Sequence, residues 1–361
     1  MNRRDFVRGA ALATARVALP ASSRTVAAGS PTEWRTFELT TRVTVEKAAG
    51  ATRVWVPAAL TAKAPYQKTL SNTFHAENGT ARLVEHTADA LGIVVAEFPA
   101  GVIPTVTVTS RISTRDHRVD LSATGHAPKA DRSVLDHFLR PTRLLPTDGI
   151  VKRMATGITR AAKTDIEKAR AIYDWIVDNT ARNPVTRGCG IGDIRFMLES
   201  RDLSGKCADI NALYVGLARA AGLPARDVYG IRVASSELGY KSLGTTSNVV
   251  TKSQHCRAEV YLTGYGWVPV DPADVRKVIL EEPPGRLRMD DERVRRARGR
   301  LFGSWEMNWI AYNFAHDVAL PGSAGAPVSF LMYPHAETAE GRLDSLDPDA
   351  FKYEISASEI P

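Results

Sequence analysis

The sequence predicts an α+β protein in which a β-sandwich precedes a mixed core of helices and strands, and three patterns predict it. From residue 34 to about 120, apolar and polar residues alternate with period two; residues 208–222 carry apolar side chains at helical spacing; and residues 255–271 read as two short strands around a turn. A chain of 361 residues has room for two cores and a further segment.

Taken in chain order, the first element is a targeting signal. Arg3, Arg4, Asp5, Phe6, Val7 and Arg8 form a twin-arginine pattern, followed by an Ala-rich apolar stretch and by Val26, Ala27 and Ala28 before Gly29, a small-residue cleavage site. The stretch is short and interrupted by Arg16, so it does not read as a stable membrane span. Residues 1–28 are expected to be a signal peptide that engages the Tat translocase, which makes the mature protein periplasmic or secreted.

Residues 29–120 are expected to form the sandwich. Phe37, Leu39, Thr41, Val43 and Val45 line one face of an early strand, Val106, Val108, Ser110 and Ile112 line a later one, and turns at Ala49-Gly50 and Asn78-Gly79 separate the segments. The domain carries no nucleophile constellation, which leaves it scaffolding or substrate recognition. A polar linker is expected at 121–135, a catalytic domain at 136–290 and a C-terminal extension at 291–361. In that extension, residues 305–319 read as a helix or irregular cap, and residues 328–333 and 351–357 as short strands.

Within 136–290 the first helical signal is a capping box, Thr164 to Glu167, with Ile166, Ala169, Tyr173, Ile176 and Val177 on one face before Asn183-Pro184. Trp175 in this stretch is assigned to packing. The second helix is read over Ala208 to Gly222: Ile210, Leu213, Tyr214, Leu217 and Ala221 share a face, and Gly222 with Pro224 ends it. Cys207 thus sits in a first turn, where free N–H groups and the dipole favour a thiolate and, later, an oxyanion. In the strand that follows, alternation puts His255, Arg257, Glu259 and Tyr261 on one face and Cys256, Ala258, Val260 and Leu262 on the other. After the Tyr265-Gly266 turn, Trp267, Pro269 and Asp271 alternate with Val268 and Val270, so that a hairpin can hold His255 beside Asp271. Cys207 is then the candidate nucleophile, His255 the proton carrier and Asp271 the group that fixes the imidazole.

Several other chemistries lack a signal. Residues 1–28 hold five arginines and one aspartate, so four of the seven net positive charges lie there and three remain, too few to argue for nucleic acid. The arginines between 286 and 300 follow Asp290, Asp291 and Glu292 and read as a solvated helix or linker. The eight histidines form no metal-ligand pattern, and there is no phosphate loop or acidic Ca²⁺ loop, so neither a metal nor a cofactor is expected. His316-Asp317 reads as a local hydrogen bond. In an oxidising compartment Cys189 and Cys256 could form a disulfide or remain two thiols, and pairing of either with Cys207 would gate the nucleophile by redox state.

Three segments carry a family resemblance: Gly205 to Asp209, Leu217 to Arg226, and His255 to Glu259 with Gly264 to Pro272. In this order they resemble the core of bacterial transglutaminase-like superfamily proteins of the cysteine-protease type, over roughly residues 130–290. The resemblance implies a papain-like transglutaminase core, with the nucleophile helix on an antiparallel sheet, and gives Cys207, His255 and Asp271 the family's catalytic roles. Arg257 departs from the pattern, since the position two after the histidine is commonly aromatic, and this is expected to reshape the pocket near the imidazole. The expected activity is cleavage of a peptide or amide bond through a thioester at Cys207, independent of calcium. The substrate would be a peptide or protein, with cell-wall peptides a reasonable choice for an exported enzyme. The alternatives are glutamine transamidation, in which an amine replaces water, and a non-catalytic binding or assembly module on the same fold.

Overall fold

A computed structural model of the protein describes residues 33–349 and 351–361. The twin-arginine segment and its cleavage site lie outside the described residues. Residues 33–361 form one compact unit. Its strands begin with β1 (Arg35–Thr44), β2 (Thr52–Pro57), β3 (Gln67–Glu77), β4 (Thr80–His86), β5 (Leu91–Phe98), β6 (Thr105–Thr114) and β7 (His117–Arg118). The middle of the chain holds α1 (Arg132–His137), α2 (Gly149–Ile158), α3 (Asp165–Asn179), β8 (Ala181–Arg182), α4 (Ile194–Ser200), β9 (Ser204–Gly205) and α5 (Cys207–Ala220). After these come β10 (Ala225–Arg232), β11 (Gln254–Leu262), β12 (Gly266–Val270), α6 (Pro272–Glu281) and α7 (Glu292–Arg300). The chain closes with β13 (Ser304–Trp305), β14 (Trp309–Asn313), β15 (His335–Thr338), β16 (Gly341–Arg342) and β17 (Lys352–Ile360).

Two antiparallel sheets make the β-rich part, in the orders β17-β1-β6-β3 and β16-β15-β2-β5-β4. The alternation read in β1 is seen directly: Phe37, Leu39, Thr41 and Val43 are buried while the residues between them are more exposed. Val43, Val106 and Val108 of one sheet pack with Val54, Val56, Val94 and Ala96 of the other, giving the sandwich its own apolar layer. Phe37, Leu39 and Ile112 join instead the large cluster that contains α5.

The core sheet is antiparallel, in the order β12-β11-β10-β14. Helix α5 lies against β10 and β11 and is flanked by α2, α3 and α6. Each of its residues is buried, which makes it a central helix rather than the one-faced helix its spacing suggests. Helix α3 carries the expected box: Thr164 Oγ1 accepts from the Glu167 N–H at 3.2 Å and the Glu167 carboxylate accepts from the Thr164 N–H at 2.9 Å. It ends at Asn179, short of Asn183-Pro184.

The C-terminal residues are woven into both parts. Residues 309–313, expected as helix or cap, are strand β14 at the edge of the core sheet, and every one of them is buried. A strand covered on both faces shows no alternation, so its apolar run cannot be told from a helix by period. Residues 328–333 form no strand beyond a single bridge from Val328 to Val318, whereas β17 runs antiparallel to β1 from the Thr36–Ile360 pair to the Thr44–Lys352 pair. Among the described residues no helix is long and apolar enough to cross a membrane.

Candidate active site

The first turn of α5 is built around Asp209. Its Oδ2 accepts from the Lys206 N–H at 3.0 Å, and its Oδ1 accepts from the N–H groups of Ile191 and Gly192, each at 2.9 Å. The Ala208 N–H donates to the Cys189 carbonyl at 2.9 Å, so the loop carrying Cys189 is tied to the helix start. Gly190 makes this approach possible: its φ is +96°, and a Cβ there would stand 1.9 Å from Asp209 Oδ2. Cys207 is the first helical residue, and its N–H has no intrahelical acceptor.

Strands β11 and β12 bring the other two residues in. Ala258 pairs with Val270, so Asp271, one residue further, arrives beside the His255 end of β11. Asp271 is the N-cap of α6, with Pro272 at its first position. Its Oδ2 lies 2.8 Å from His255 Nε2, while its Oδ1 accepts from the Asp274 N–H at 3.0 Å and from Asn211 Nδ2 at 3.2 Å. Asn211 comes from α5 and also donates to the Cys256 carbonyl at 2.8 Å, which locks helix, strand and carboxylate together. The Trp309 indole donates to the His255 carbonyl at 2.8 Å. With Nε2 turned to the carboxylates, Nδ1 is the nitrogen left for the thiol, and His255 is one of the groups that lower the Cys207 pKa. The structure therefore brings Cys207, His255 and Asp271 together.

A second carboxylate stands in the same place. Asp274 Oδ1 is 3.4 Å from His255 Nε2 and accepts from Arg232 at 2.6 Å, with both partners buried. Sequence reading passed over Asp274, Arg232 and Asn211. The pattern Asp271-Pro272-Ala273-Asp274 held one usable signal, since an aspartate cap, a proline and an acidic third position mark a helix start in which two carboxylates face the same turn.

The electrostatics follow from these neighbours. Hydrogen bonds from the Cys189 and Cys256 thiols, followed by His255, hold Cys207 well below the ordinary thiol range against the opposing effect of burial. Burial and Arg232 pull the His255 imidazole down, but Asp274 and Asp271 outweigh them and its pKa is raised. Burial also opposes ionisation of Asp274, yet Arg232 and His255 keep it far below the carboxylate range, whereas burial and the Asp274 charge push Asp271 up. The combination favours a thiolate–imidazolium pair.

Among the described residues the three cysteines are free thiols, with no Cys189–Cys256 disulfide. Alternation had turned Cys256 away from the catalytic face, yet it and Cys189, whose thiol donates to the Gln254 carbonyl at 3.4 Å, are both near enough to lower the Cys207 pKa. Arg257, expected to reshape the pocket, lies behind it: Nε is 3.7 Å from Asp271 Oδ2, Nη1 donates to the Glu306 carbonyl at 2.9 Å, and the guanidinium lies over the Trp309 ring. His316 pairs with Asp227 at 3.2 Å rather than with Asp317. His255, Asp271 and Asp274 lie close enough to share a cation, but the imidazole and Asp271 already engage one another and Arg232 occupies Asp274.

A cavity of about 490 Å³ opens over the thiol and imidazole, within the usual range for a ligand site. Gln254, next to His255, lines it, and its Nε2 is buried without a hydrogen-bond partner. Further lining comes from the Cys189 loop, from Arg182, Arg232 and Lys277, from residues 251–255 and from the C-terminal segment around Tyr333 and Phe351.

Residues 152–272 match the Transglutaminase-like superfamily. An uncharacterized protein of Haemophilus influenzae is 40% identical over 235 residues, 63% of this chain and 63% of the length of that relative. Among solved structures, a proposed cysteine protease from Cytophaga hutchinsonii superposes with a TM-score of 0.51 at 16% identity, covering 91% of this chain and 99% of that one. The periplasmic domain of TgpA from Pseudomonas aeruginosa aligns with a TM-score of 0.36 at 16% identity, covering 65% and 90% of the two chains. Domain match and fold agree on a transglutaminase-like core, matched over residues 152–272, within an α+β architecture.

Proposed function

We propose that the protein is an exported cysteine-dependent amide hydrolase acting on peptides, with Cys207 as nucleophile, His255 as general acid and base and Asp271 as the orienting carboxylate. The observation that carries this reading is the buried relay from Asp271 through His255 to a thiol whose surroundings favour its ionised form. Cys207 Sγ attacks the amide carbon, and the oxyanion is met by the Cys207 N–H and by the unpartnered Gln254 amide. The imidazolium gives its proton to the leaving nitrogen as the C–N bond breaks, which leaves a thioester and a free amine. His255 then takes a proton from water, the resulting hydroxide attacks the thioester, and the C–S bond breaks to release a carboxylic acid and restore the thiolate.

An amine taking the place of water would make the same site a transamidase. Water requires no second binding site, which favours hydrolysis. The N-terminal twin-arginine pattern supports export by the Tat translocase and action on extracytoplasmic peptides. The reading is tested by incubating the protein with a peptide library, with and without hydroxylamine. Hydrolase chemistry predicts new carboxyl termini that become hydroxamates with hydroxylamine and disappear in Cys207→Ala. Products that form only when an amine is supplied would establish the transamidase instead, and cleavage that persists in Cys207→Ala would remove the nucleophile assignment.

A further inference from the structure

We propose that the cavity selects acyl donors carrying a carboxylate close to the scissile amide, and that Lys206 and Lys252 read that group; the inference rests on the thiol chemistry proposed above. The lining contains seven lysine and arginine side chains and no aspartate or glutamate, in a chain whose totals are 47 basic and 40 acidic residues. The bias is therefore local to the site. Five of the seven cations have acidic partners outside the lining. Arg232 pairs with Asp274, Arg182 and Lys277 share Glu281, Arg187 pairs with Asp344, and Lys352 pairs with Glu46.

Lys206 and Lys252 differ from these. Among the described residues neither ammonium has an ion-pair or hydrogen-bond partner. They also bracket the reacting groups along the chain, since Lys206 immediately precedes Cys207 and Lys252 lies three residues before His255. Lys206 is half-buried, so its charge acts with less screening than that of a fully exposed lysine. Burial, with the Arg232 charge adding to it, pushes Lys277 below the usual lysine range.

The rest of the wall narrows the class further. Tyr333, Leu346, Phe351 and Tyr353 give the cavity an apolar portion. A single carboxylate on an otherwise apolar chain fits this lining, and a peptide with a lysine or arginine at the same place meets like charge. The carboxylate could be a side chain or a free C-terminus, and the two are separable by experiment.

The test is binding to Cys207→Ala, which needs no turnover and so stands apart from the fate of the hydrolase reading. Three tripeptides serve as probes: a blocked one with a central glutamate, its glutamine isostere, and the glutamine peptide with a free C-terminal carboxylate. At least one carboxylate probe is expected to bind about tenfold or more tighter than the neutral isostere. The advantage should shrink with added salt and fall at least threefold, by order of magnitude, when Lys206→Gln and Lys252→Gln are combined. Which probe wins names the position of the carboxylate. A urea midpoint for the double variant establishes that it is folded. Equal binding of the three probes, or an advantage untouched by the double substitution in a folded protein, overturns the proposal. In the intact site, the ratio of iodoacetate to iodoacetamide alkylation at Cys207 gives a second reading. That ratio does not depend on the thiolate fraction, and it should exceed the ratio for the unfolded chain. An unreactive thiol alongside carboxylate-selective binding would sink the hydrolase reading and leave Lys206 and Lys252 as readers of a bound carboxylate.

Discussion

Replacing Asp271 with asparagine tests the relay at the point where its geometry is most constrained. The Oδ1 of Asp271 already accepts from the Asp274 N–H and from Asn211, so an asparagine must keep its carbonyl oxygen there. Its NH₂ is then forced toward His255 Nε2, where the carboxylate stood at 2.8 Å. An N–H facing Nε2 requires that nitrogen to accept, and the imidazole proton moves to Nδ1 with the ring neutral. The thiol loses its counter-cation, and Nδ1, now carrying the proton, can no longer take one from the thiol or from the attacking water. A loss of about 10²- to 10⁴-fold in kcat/KM is expected, roughly 3 to 5 kcal/mol of transition-state stabilisation, with the lower figure applying if Asp274 at 3.4 Å takes over in part. Alkylation of Cys207 by iodoacetamide, followed by mass spectrometry as pH is varied, reads the same event without a substrate. The profile should move to higher pH in Asp271→Asn. An unchanged profile, together with a large shift in Asp274→Asn, would transfer the orienting role to Asp274 and refute the argument.

The remaining expectations concern charge and packing. Activity against pH should be bell-shaped, rising as pH climbs through the depressed Cys207 pKa and falling as it passes the raised His255 pKa. The stability that His255 contributes should be complete below its unfolded value of about 6.5 and lost as pH rises through its folded pKa, which urea midpoints for wild type and His255→Ala across pH would show. Arg232→Met leaves Asp274 as a buried carboxylate without its partner, at a cost of about 3 to 5 kcal/mol measured by urea unfolding, and the loss should lessen when Asp274→Asn is added. Gly190→Ala forces a Cβ to within 1.9 Å of Asp209 Oδ2 at a φ of +96°, and about 2 kcal/mol or more of stability should go with it, together with a changed Cys207 alkylation rate.

The parts of this molecule that were legible in sequence are those whose signals are local. The alternation of β1, the capping box of α3 and the placing of Cys207 in the first turn of α5 each depend on a few neighbouring residues, and the structure has them as read. The hairpin register follows from the Tyr265-Gly266 turn, and it carries His255 to Asp271. What sequence did not convey depends on residues far apart in the chain. Asp274 joins the site because Arg232, 42 residues away, compensates its charge. Trp309 holds the His255 carbonyl across 54 residues, from a strand whose complete burial erased the period that would have announced it. The convergence of Cys189 and Cys256 on Cys207 likewise depends on a loop anchored by Asp209, and strand alternation pointed the other way for Cys256.

The most direct measurement of the central claim is the alkylation rate of Cys207 in wild type at pH 6, located by mass spectrometry and compared with His255→Ala. An activated nucleophile predicts rapid labelling well below the ordinary thiol value of about 8.5, with most of that reactivity lost in the variant. A thiol in the folded, reduced protein that labels only near that ordinary value, or equally in both proteins, would contradict the account.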